Sequence, residues 1–355
     1  MGETGSGTDD ESAGGGTGPT GRRPTMADVA ARVGVSRQLV SLVMNDSPGP
    51  SAPTRQRILQ AAEELGYRAD KAARMLRRAR SRQVGVLFTM EHPLDVHLVE
   101  AVYPAAAALD YGVVLSGLLA TRGEREAIDD LLGLRCEALI LIGLSAAAPS
   151  DLATVAERVP VVEIGQRTGA EGTDSVRTAD ADGVRKAVDH LAALGHRRIA
   201  HVDGGILPGA PERADGYLDG MRAHGLAALA DVVPGDYSEE AGARAARALL
   251  AREVLPSAVI TGNDQSALGL VETFVRANVR VPQDVSVIGY DDSRTARLSF
   301  LDLTSVRQDA ALMARLAVRA AAERLDDGRT RSAHLVLEPE LAVRSSTAAP
   351  RPGLV

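Results

Sequence analysis

The sequence predicts a small N-terminal all-α helix-turn-helix domain followed by a large α/β domain of two doubly wound parallel-sheet subdomains. Three observations predict it. The stretch 25–76 holds two short helices joined by a Gly-containing turn, a third helix and a basic segment. From residue 84 onward, apolar runs alternate with helical stretches in two successive series. At 355 residues the chain is also too long for one ordinary core.

The helical part is legible residue by residue. Thr25 is an N-cap with Asp28 three residues on, close to a capping box. Ala30 is small where a second helix must approach, and Gly34 supplies the turn. Ser36 caps the second helix, whose Val40 faces inward. Ser51 caps the third, with Pro53 in its first turn, where a missing N–H costs little. Arg37 and Gln38 stand at the exposed start of the second helix, as in a DNA-reading helix-turn-helix. Arg pairs with guanine and Gln with adenine in the major groove, so Arg37, Gln38 and Ser41 are the expected base contacts. Thr25, Ser36, Asn45 and Thr54 are the expected phosphate contacts, fixing register.

In the large domain, the runs "VGVLFTM", "GVVLSGLL", "ALILIGL" and "PVVEIG" form a first series. The runs "RRIAHVDGG", "SAVITGND" and "VSVIGYDD" form a second. Nearly continuous apolar runs suit parallel strands covered on both faces. Ligands of such sheets bind beyond the carboxyl ends of the strands, and polar clusters sit there: Asn263 and Asp264, then Tyr290, Asp291 and Asp292.

Composition is consistent with this division. Apolar residues make up 45% and aromatics 3% with no Trp, so the core must rest on Val, Leu, Ile and Ala. Formal charge is −7, yet residues 22–82 carry thirteen Lys or Arg against five Asp or Glu, a net of +8 that leaves −15 elsewhere. One basic module on an acidic body concentrates phosphate-attracting potential where the helix-turn-helix lies. Cys136, the one cysteine, excludes an internal disulfide and reads as buried packing in a reducing compartment. Residues 1–21, rich in Gly, Ser and Thr, read as a disordered tail without an export signal, and no run of 18 apolar residues occurs. A cytoplasmic protein without a membrane segment is expected.

The segments "DVAARVGVS", "VSLVMN", "TRQRILQAAEELGY", "ADKAARML", "ALGHRRIAHVDG", "RADGYLDGM", "TGNDQSALG" and "VPQDVSVIGYDD", in that order, resemble the lactose-repressor (LacI/GalR) family of bacterial transcription regulators over roughly residues 25–346. The resemblance implies a periplasmic-binding-protein-like large domain whose chain crosses between lobes near 177, 307 and 338. The implied layout is a tail over 1–23, the DNA-binding domain over 24–69, a hinge over 70–82, the two-lobed effector and dimerisation domain over 83–346, and a tail over 347–355. Lobe 1 comprises about 83–177 and 308–337, lobe 2 about 178–306 and 338–346. Arg213, Asn263 and Asp291 are implied effector contacts. Gly165 replaces an Asp common in sugar-responsive relatives, leaving Gln166 or Arg167 to substitute, and Phe88 and Phe300 are candidate lining residues. In the hinge, Leu76 matches a side chain that wedges into the minor groove, with Ala73 beneath it and Arg74 beside it.

The expected function is a sequence-specific regulator, a repressor, gated by a sugar or sugar-like small molecule. It acts as a homodimer on pseudo-palindromic double-stranded operator DNA. The alternative is a constitutive or protein-controlled regulator with a non-functional cleft. The chain lacks a phosphate-binding Gly-rich loop after the first strand and a GxSxG elbow. His92 and His97, near Glu91 and Asp95, lack metal-ligand spacing on one face. No enzyme activity, cofactor or metal site is expected.

Overall fold

Thr25 opens α1 (Met26–Val33) with a tight local cap: its backbone N–H and its hydroxyl both donate to Asp28 Oδ2 at 2.7 Å. Gly34 ends the helix at φ +72°, a left-handed conformation that a β-carbon would strain. α2 (Arg37–Met44) starts at Ser36, whose hydroxyl accepts from the Leu39 N–H at 3.2 Å. α3 (Ala52–Glu64) follows Ser51. Val29, Ala30, Val40, Val43, Ile58, Ala61 and Ala62 converge between the three helices. Complete burial of a side chain such as Val40 or Ile58 is worth roughly 1.5–3 kcal/mol, which is what holds so short a helical set together.

The structure is a computed structural model that describes residues 24–45, 47–67, 80–90, 92–119, 121–143 and 149–351. The hinge candidates Ala73, Arg74 and Leu76 and the tail over 1–23 lie outside the described residues. The chain divides into two compact units between Arg80 and Ser81.

The second unit contains two six-stranded sheets. The first runs β1 (Gln83–Thr89), α4 (Pro93–Ala107), β2 (Gly112–Leu118), α5 (Glu124–Gly133), β3 (Ala138–Ile142), α6 (Pro149–Ala156), β4 (Val161–Ile164) and β5 (Asp174–Thr178). The second runs α7 (Asp180–Ala193), β6 (Ile199–Val202), α8 (Ala210–Ala223), β7 (Asp231–Val233), α9 (Glu239–Leu250), β8 (Ala258–Thr261), α10 (Asp264–Arg276), β9 (Ser286–Asp291) and β10 (Thr304–Arg307). α11 (Ala310–Asp326) and β11 (His334–Leu337) return to the first sheet, and β12 (Glu340–Ala342) to the second. The strand orders are β11-β5-β4-β3-β1-β2 and β12-β10-β9-β8-β6-β7. Every pairing is parallel except that of β12 with β10.

The chain therefore passes between the sheets three times, after Thr178, Arg307 and Leu337. The run "HLVLEPELAVR", continuous in sequence, is split by Glu338 and Pro339 into strands of different sheets. Lys186 Nζ holds that crossing, donating to Glu338 Oε1 and to the Pro339 carbonyl at 2.8 Å each.

Alternate residues of β1 point to opposite faces. Val86 and Phe88 share a core with Leu98, Val102, Met313 and Ala317, while Leu87 packs with Leu131, Leu139 and Leu141. Phe88 is thus a core residue and not the cavity-lining residue expected, because its position in the strand's alternation points it beneath the sheet. Phe300 is 71% exposed and also lines no described cavity of the cleft. Cys136 is buried, and burial pushes its thiol up to about 11, in keeping with a packing role. At the other end, the expected tail from 347 begins later. Thr347 meets His190 Nε2 at 3.0 Å, and the Ala348 carbonyl meets His196 Nε2 at 2.8 Å.

Candidate ligand cavity and nucleic-acid interface

The carboxyl ends of strands from both sheets enclose a cavity of about 260 Å³. Thr89, His92, Asp95, Gly143 and Ile164 line it from the first lobe, and Pro208, Arg213, Tyr237, Asn263, Asp291 and Gln308 from the second and its crossing. Three expected effector residues, Arg213, Asn263 and Asp291, are brought together here.

Arg213 sits in the first turn of α8 and is 5% exposed. Its Nε donates to Asp180 Oδ1 at 2.8 Å, and its Nη1 donates to the Gly262 carbonyl. The guanidinium carbon lies 3.7 Å from the Tyr290 ring centroid and 5.2 Å from that of Tyr237. Among the described residues Nη2 has no hydrogen-bond partner, which leaves one planar donor at the cavity.

Asn263 ends the turn between β8 and α10 and does two things. Its Oδ1 accepts from the Ser266 N–H and hydroxyl at 2.9 Å each, forming the N-cap of α10. The acceptor is therefore committed to the fold, and only the amide Nδ2 is left to donate to a ligand.

Asp291 and Asp292 both have positive φ, 106° and 49°, a strained pair closing β9. Their carboxylates have opposite fates. Asp291 lines the cavity, and its Oδ1 accepts from Gln308 Nε2 at 2.8 Å. Burial pushes its carboxyl above the usual range, against the pull of Arg213 and the Gln308 hydrogen bond. Asp292 instead accepts from Arg307 at 2.8 Å, Arg297 at 3.0 Å and Arg344. Burial works to raise its carboxyl, but these hydrogen bonds win and hold it low. Asp264 belongs to the fold: Ser293 donates its N–H and hydroxyl at 2.8 Å, and the Ser305 hydroxyl donates at 2.6 Å. Burial, then the charge of Asp291, raises its carboxyl.

The remaining expected residues, Gln166 and Arg167, line an adjoining compartment of about 500 Å³ and not the inner cavity. Gly165 borders both compartments at φ +86°, with nothing within 4 Å of where a β-carbon would stand. The residues that sequence reasoning missed are Asp180, Tyr237, Gln308 and Asp95. Asp180 reads in sequence as an ordinary helix-start acid and Tyr237 as a turn residue. No local signal marks either.

In the helical unit, Ser36, Arg37, Gln38 and Asn45 are exposed, and Thr25, Ser41 and Thr54 are half-buried. Arg37 and Gln38 open α2 on the side away from Val40 and Val43. Asn45 is the C-cap of α2, its Nδ2 donating to the Ser41 hydroxyl at 3.3 Å, and the Thr54 hydroxyl pairs with that of Ser51 at 3.0 Å. These partners are weak enough to be exchanged for a phosphate oxygen. No helix among the described residues is long and apolar enough to cross a membrane.

Comparison with known proteins agrees with both halves of this geometry. Residues 25–70 match the profile of bacterial regulatory proteins of the lacI family, and residues 188–347 match a periplasmic binding protein-like domain. The HTH-type transcriptional regulator CelR of Thermobifida fusca is 34% identical, covering 92% of this chain and 98% of its own. A solved complex of the regulator CelR with cellobiose superposes with a TM-score of 0.68 at 32% identity, covering 91% of this chain and 100% of that one. The lac repressor dimer bound to operator and the anti-inducer ONPF superposes with a TM-score of 0.79 at 29% identity, covering 92% of this chain and 100% of that one. With a DNA-reading helix-turn-helix, a two-sheet cleft body and relatives aligned along nearly the whole chain, this protein belongs to the LacI family of DNA-binding transcriptional regulators.

Proposed function

We propose that the protein is a repressor whose affinity for operator DNA is set by a sugar or sugar-like molecule bound between the two lobes. The observation that carries this reading is the buried polar set in the cavity. The Arg213 Nη2 donor, the Asn263 amide and the Asp291 carboxylate converge on one small volume at the ends of the strands. A cation, an amide donor and a carboxylate read the alternating donors and acceptors of a polyhydroxylated ligand. The relative crystallised with cellobiose supports the same class.

On this reading Arg37, Gln38 and Ser41 contact bases, and Thr25, Ser36, Asn45 and Thr54 contact phosphates. The segment 70–82, with Ala73, Arg74 and Leu76, forms the minor-groove hinge. The active species is a homodimer on a pseudo-palindrome, as in the lac repressor dimer on its operator. Ligand changes the angle between the lobes and so biases the DNA-competent state. By linkage, DNA must change ligand affinity by the same factor.

The test is a thermal-shift screen of the full chain against sugars, sugar phosphates, polyols and nucleobases, followed by DNA binding with and without any hit. A dose-dependent rise in Tm with sugars, together with altered DNA affinity, is the expected result. A rise with nucleobases alone would reject the sugar class. No rise with any compound would favour a regulator whose cleft is non-functional.

A further inference from the structure

Arg82 closes the segment read as hinge, yet it is the second residue of the body, and all its described partners lie there. Its guanidinium is held at the far ends of two helices. Nε donates to the Asp110 carbonyl at 3.0 Å and Nη2 to the Leu109 carbonyl at 2.7 Å, both just past the C-terminal end of α4. A cation there complements the negative end of the helix dipole. Nη1 lies 3.7 Å from Oδ1 of Asp326, the last residue of α11. The guanidinium carbon sits 4.3 Å from the Tyr111 ring centroid, and the Tyr111 hydroxyl donates to Asp326 Oδ2 at 3.1 Å. One side chain thus clasps the ends of α4 and α11 together.

The backbone is fixed as firmly. The Arg82 N–H donates to Glu137 Oε1 at 3.0 Å, its carbonyl accepts from the Gly112 N–H at 2.8 Å, and the Ser81 hydroxyl donates to the Arg135 carbonyl. Arg82 is held at φ +51°, a left-handed conformation that a residue with a β-carbon keeps only where its surroundings over-determine it. The direction of the chain entering β1 is therefore set by these contacts and not by the residue's own preference.

The same two helices begin at the ligand cavity. His92, the N-cap of α4, lines it with Leu94 and Asp95, and Gln308 lines it two residues before α11. Leu98, Val102 and Ala106 of α4 share one core with Met313, Ala317 and Ala321 of α11, and a close-packed core transmits strain. The helices have 15 and 17 residues, so a displacement at the cavity is carried about 22 to 26 Å toward Arg82.

The geometry assigns Arg82 as a positioning residue that couples the cavity to DNA. It ties the chain leading to the DNA-binding unit to the ends of α4 and α11, so that a shift of those helices re-aims it. This rests on the reading that the cavity governs DNA affinity, and it names the residue that passes the change on.

Fluorescence anisotropy of the full chain tests this, on a duplex that the parent selects from a random pool and on a random-sequence duplex of equal length. Arg82→Ala should weaken the selected duplex about three- to thirtyfold, the range of coupling through such positions, and leave the random duplex within about twofold. Arg82→Lys keeps the charge beside Asp326 but cannot fork to two carbonyls, and it should show the same loss with Tm close to the parent. A lysine variant that binds like the parent overturns the fork. Equal loss on both duplexes makes Arg82 a phosphate contact and overturns the positioning role, as does no loss on either. The relay is read from His92→Ala, at the cavity end of α4. It should change selected-duplex affinity about threefold or more in the parent and less than about 1.5-fold in Arg82→Lys. An equal change in both backgrounds overturns the relay and leaves control by the cavity standing. No change in either overturns the relay as well, and the ligand screen then decides control by the cavity separately.

Discussion

Arg213 Nε and Asp180 Oδ1 form an ion pair at 2.8 Å whose side chains are 7% and 5% exposed, joining the first turn of α8 to the first residue of α7. The residue expected to read ligand is therefore also a structural member of the second lobe. Arg213→Ala would strand a buried carboxylate, which costs about 3–5 kcal/mol. A urea unfolding curve should show that loss together with the loss of ligand response. If the response disappears with stability unchanged, Arg213 acts on the ligand alone and the structural coupling is wrong.

Gly216, three residues after Arg213, tests the same junction from behind. A β-carbon there would overlap the Ala181 carbonyl on α7. Gly216→Ala should force the helices apart at a cost of about 1–3 kcal/mol, and it should weaken ligand binding by displacing the ion pair. The reading out is a lowered urea midpoint and a raised Kd. A variant as stable as the parent would show that α7 and α8 yield more easily than their packing implies.

His201 makes one identifiable contribution to the pH dependence of stability. It is fully buried in β6, stacked on Tyr217 with centroids 5.3 Å apart, with Nδ1 3.1 Å from the Ile260 carbonyl and Nε2 unpartnered. Burial lowers its imidazole to about 4, against the smaller pull of the Ile260 hydrogen bond. The folded state therefore binds fewer protons than the unfolded one between about 6.5 and that value. The stability is present above the unfolded value and is lost as pH falls toward the folded one. Asp264 and Asp291, whose carboxyls are raised, oppose this slope over the same window, so the check is the difference between variants: relative to the parent, the urea midpoint of His201→Phe should rise as pH falls from neutral. A difference between variant and parent that does not change with pH would show that His201 contributes nothing to the slope.

For the DNA reader, Arg37→Ala and Thr54→Ala should differ in kind. Losing a base contact costs about 1–3 kcal/mol and relaxes sequence preference at one position of each half-site, whereas losing a phosphate contact weakens all duplexes alike. Selection from random duplexes followed by titration separates the two. If Arg37→Ala leaves the selected sequence unchanged, Arg37 is not a base reader.

The helical unit was almost fully legible, because Thr25, Gly34, Ser36 and Pro53 each carry a local signal that tertiary packing did not override. In the body, the strands buried on both faces were legible from their apolar runs. β7 (DVV) and β10 (TSVR) were not, being three and four residues long and partly polar. Periodicity alone did not show that the halves of "HLVLEPELAVR" join different sheets, since it describes one strand and not its neighbours; the crossing near 338 was implied only by the family resemblance. In the cavity, Asn263 and Asp291 stood out as polar residues at strand ends, whereas Arg213, inside the first turn of α8, was implied only by the family resemblance. Asp180 and Tyr237 did not stand out, because only the folded chain brings them to Arg213. Phe88 was misassigned because a strand's face depends on a register that its own sequence does not state.

The three crossings leave their sheets side by side. Thr178 pairs with Leu337 at one edge of the first sheet, and Arg307 pairs with Glu340 at the corresponding edge of the second. Two bodies tied along one edge are held most closely at that edge and least at the far one. Each sheet spans five strand spacings from that edge to β2 or β7, a lever arm of about 24 Å at about 4.8 Å per spacing. A swing of about 10° would then carry the outer edge by about 4 Å, turning a sub-ångström adjustment beside the hinge into a displacement several times larger at the rim.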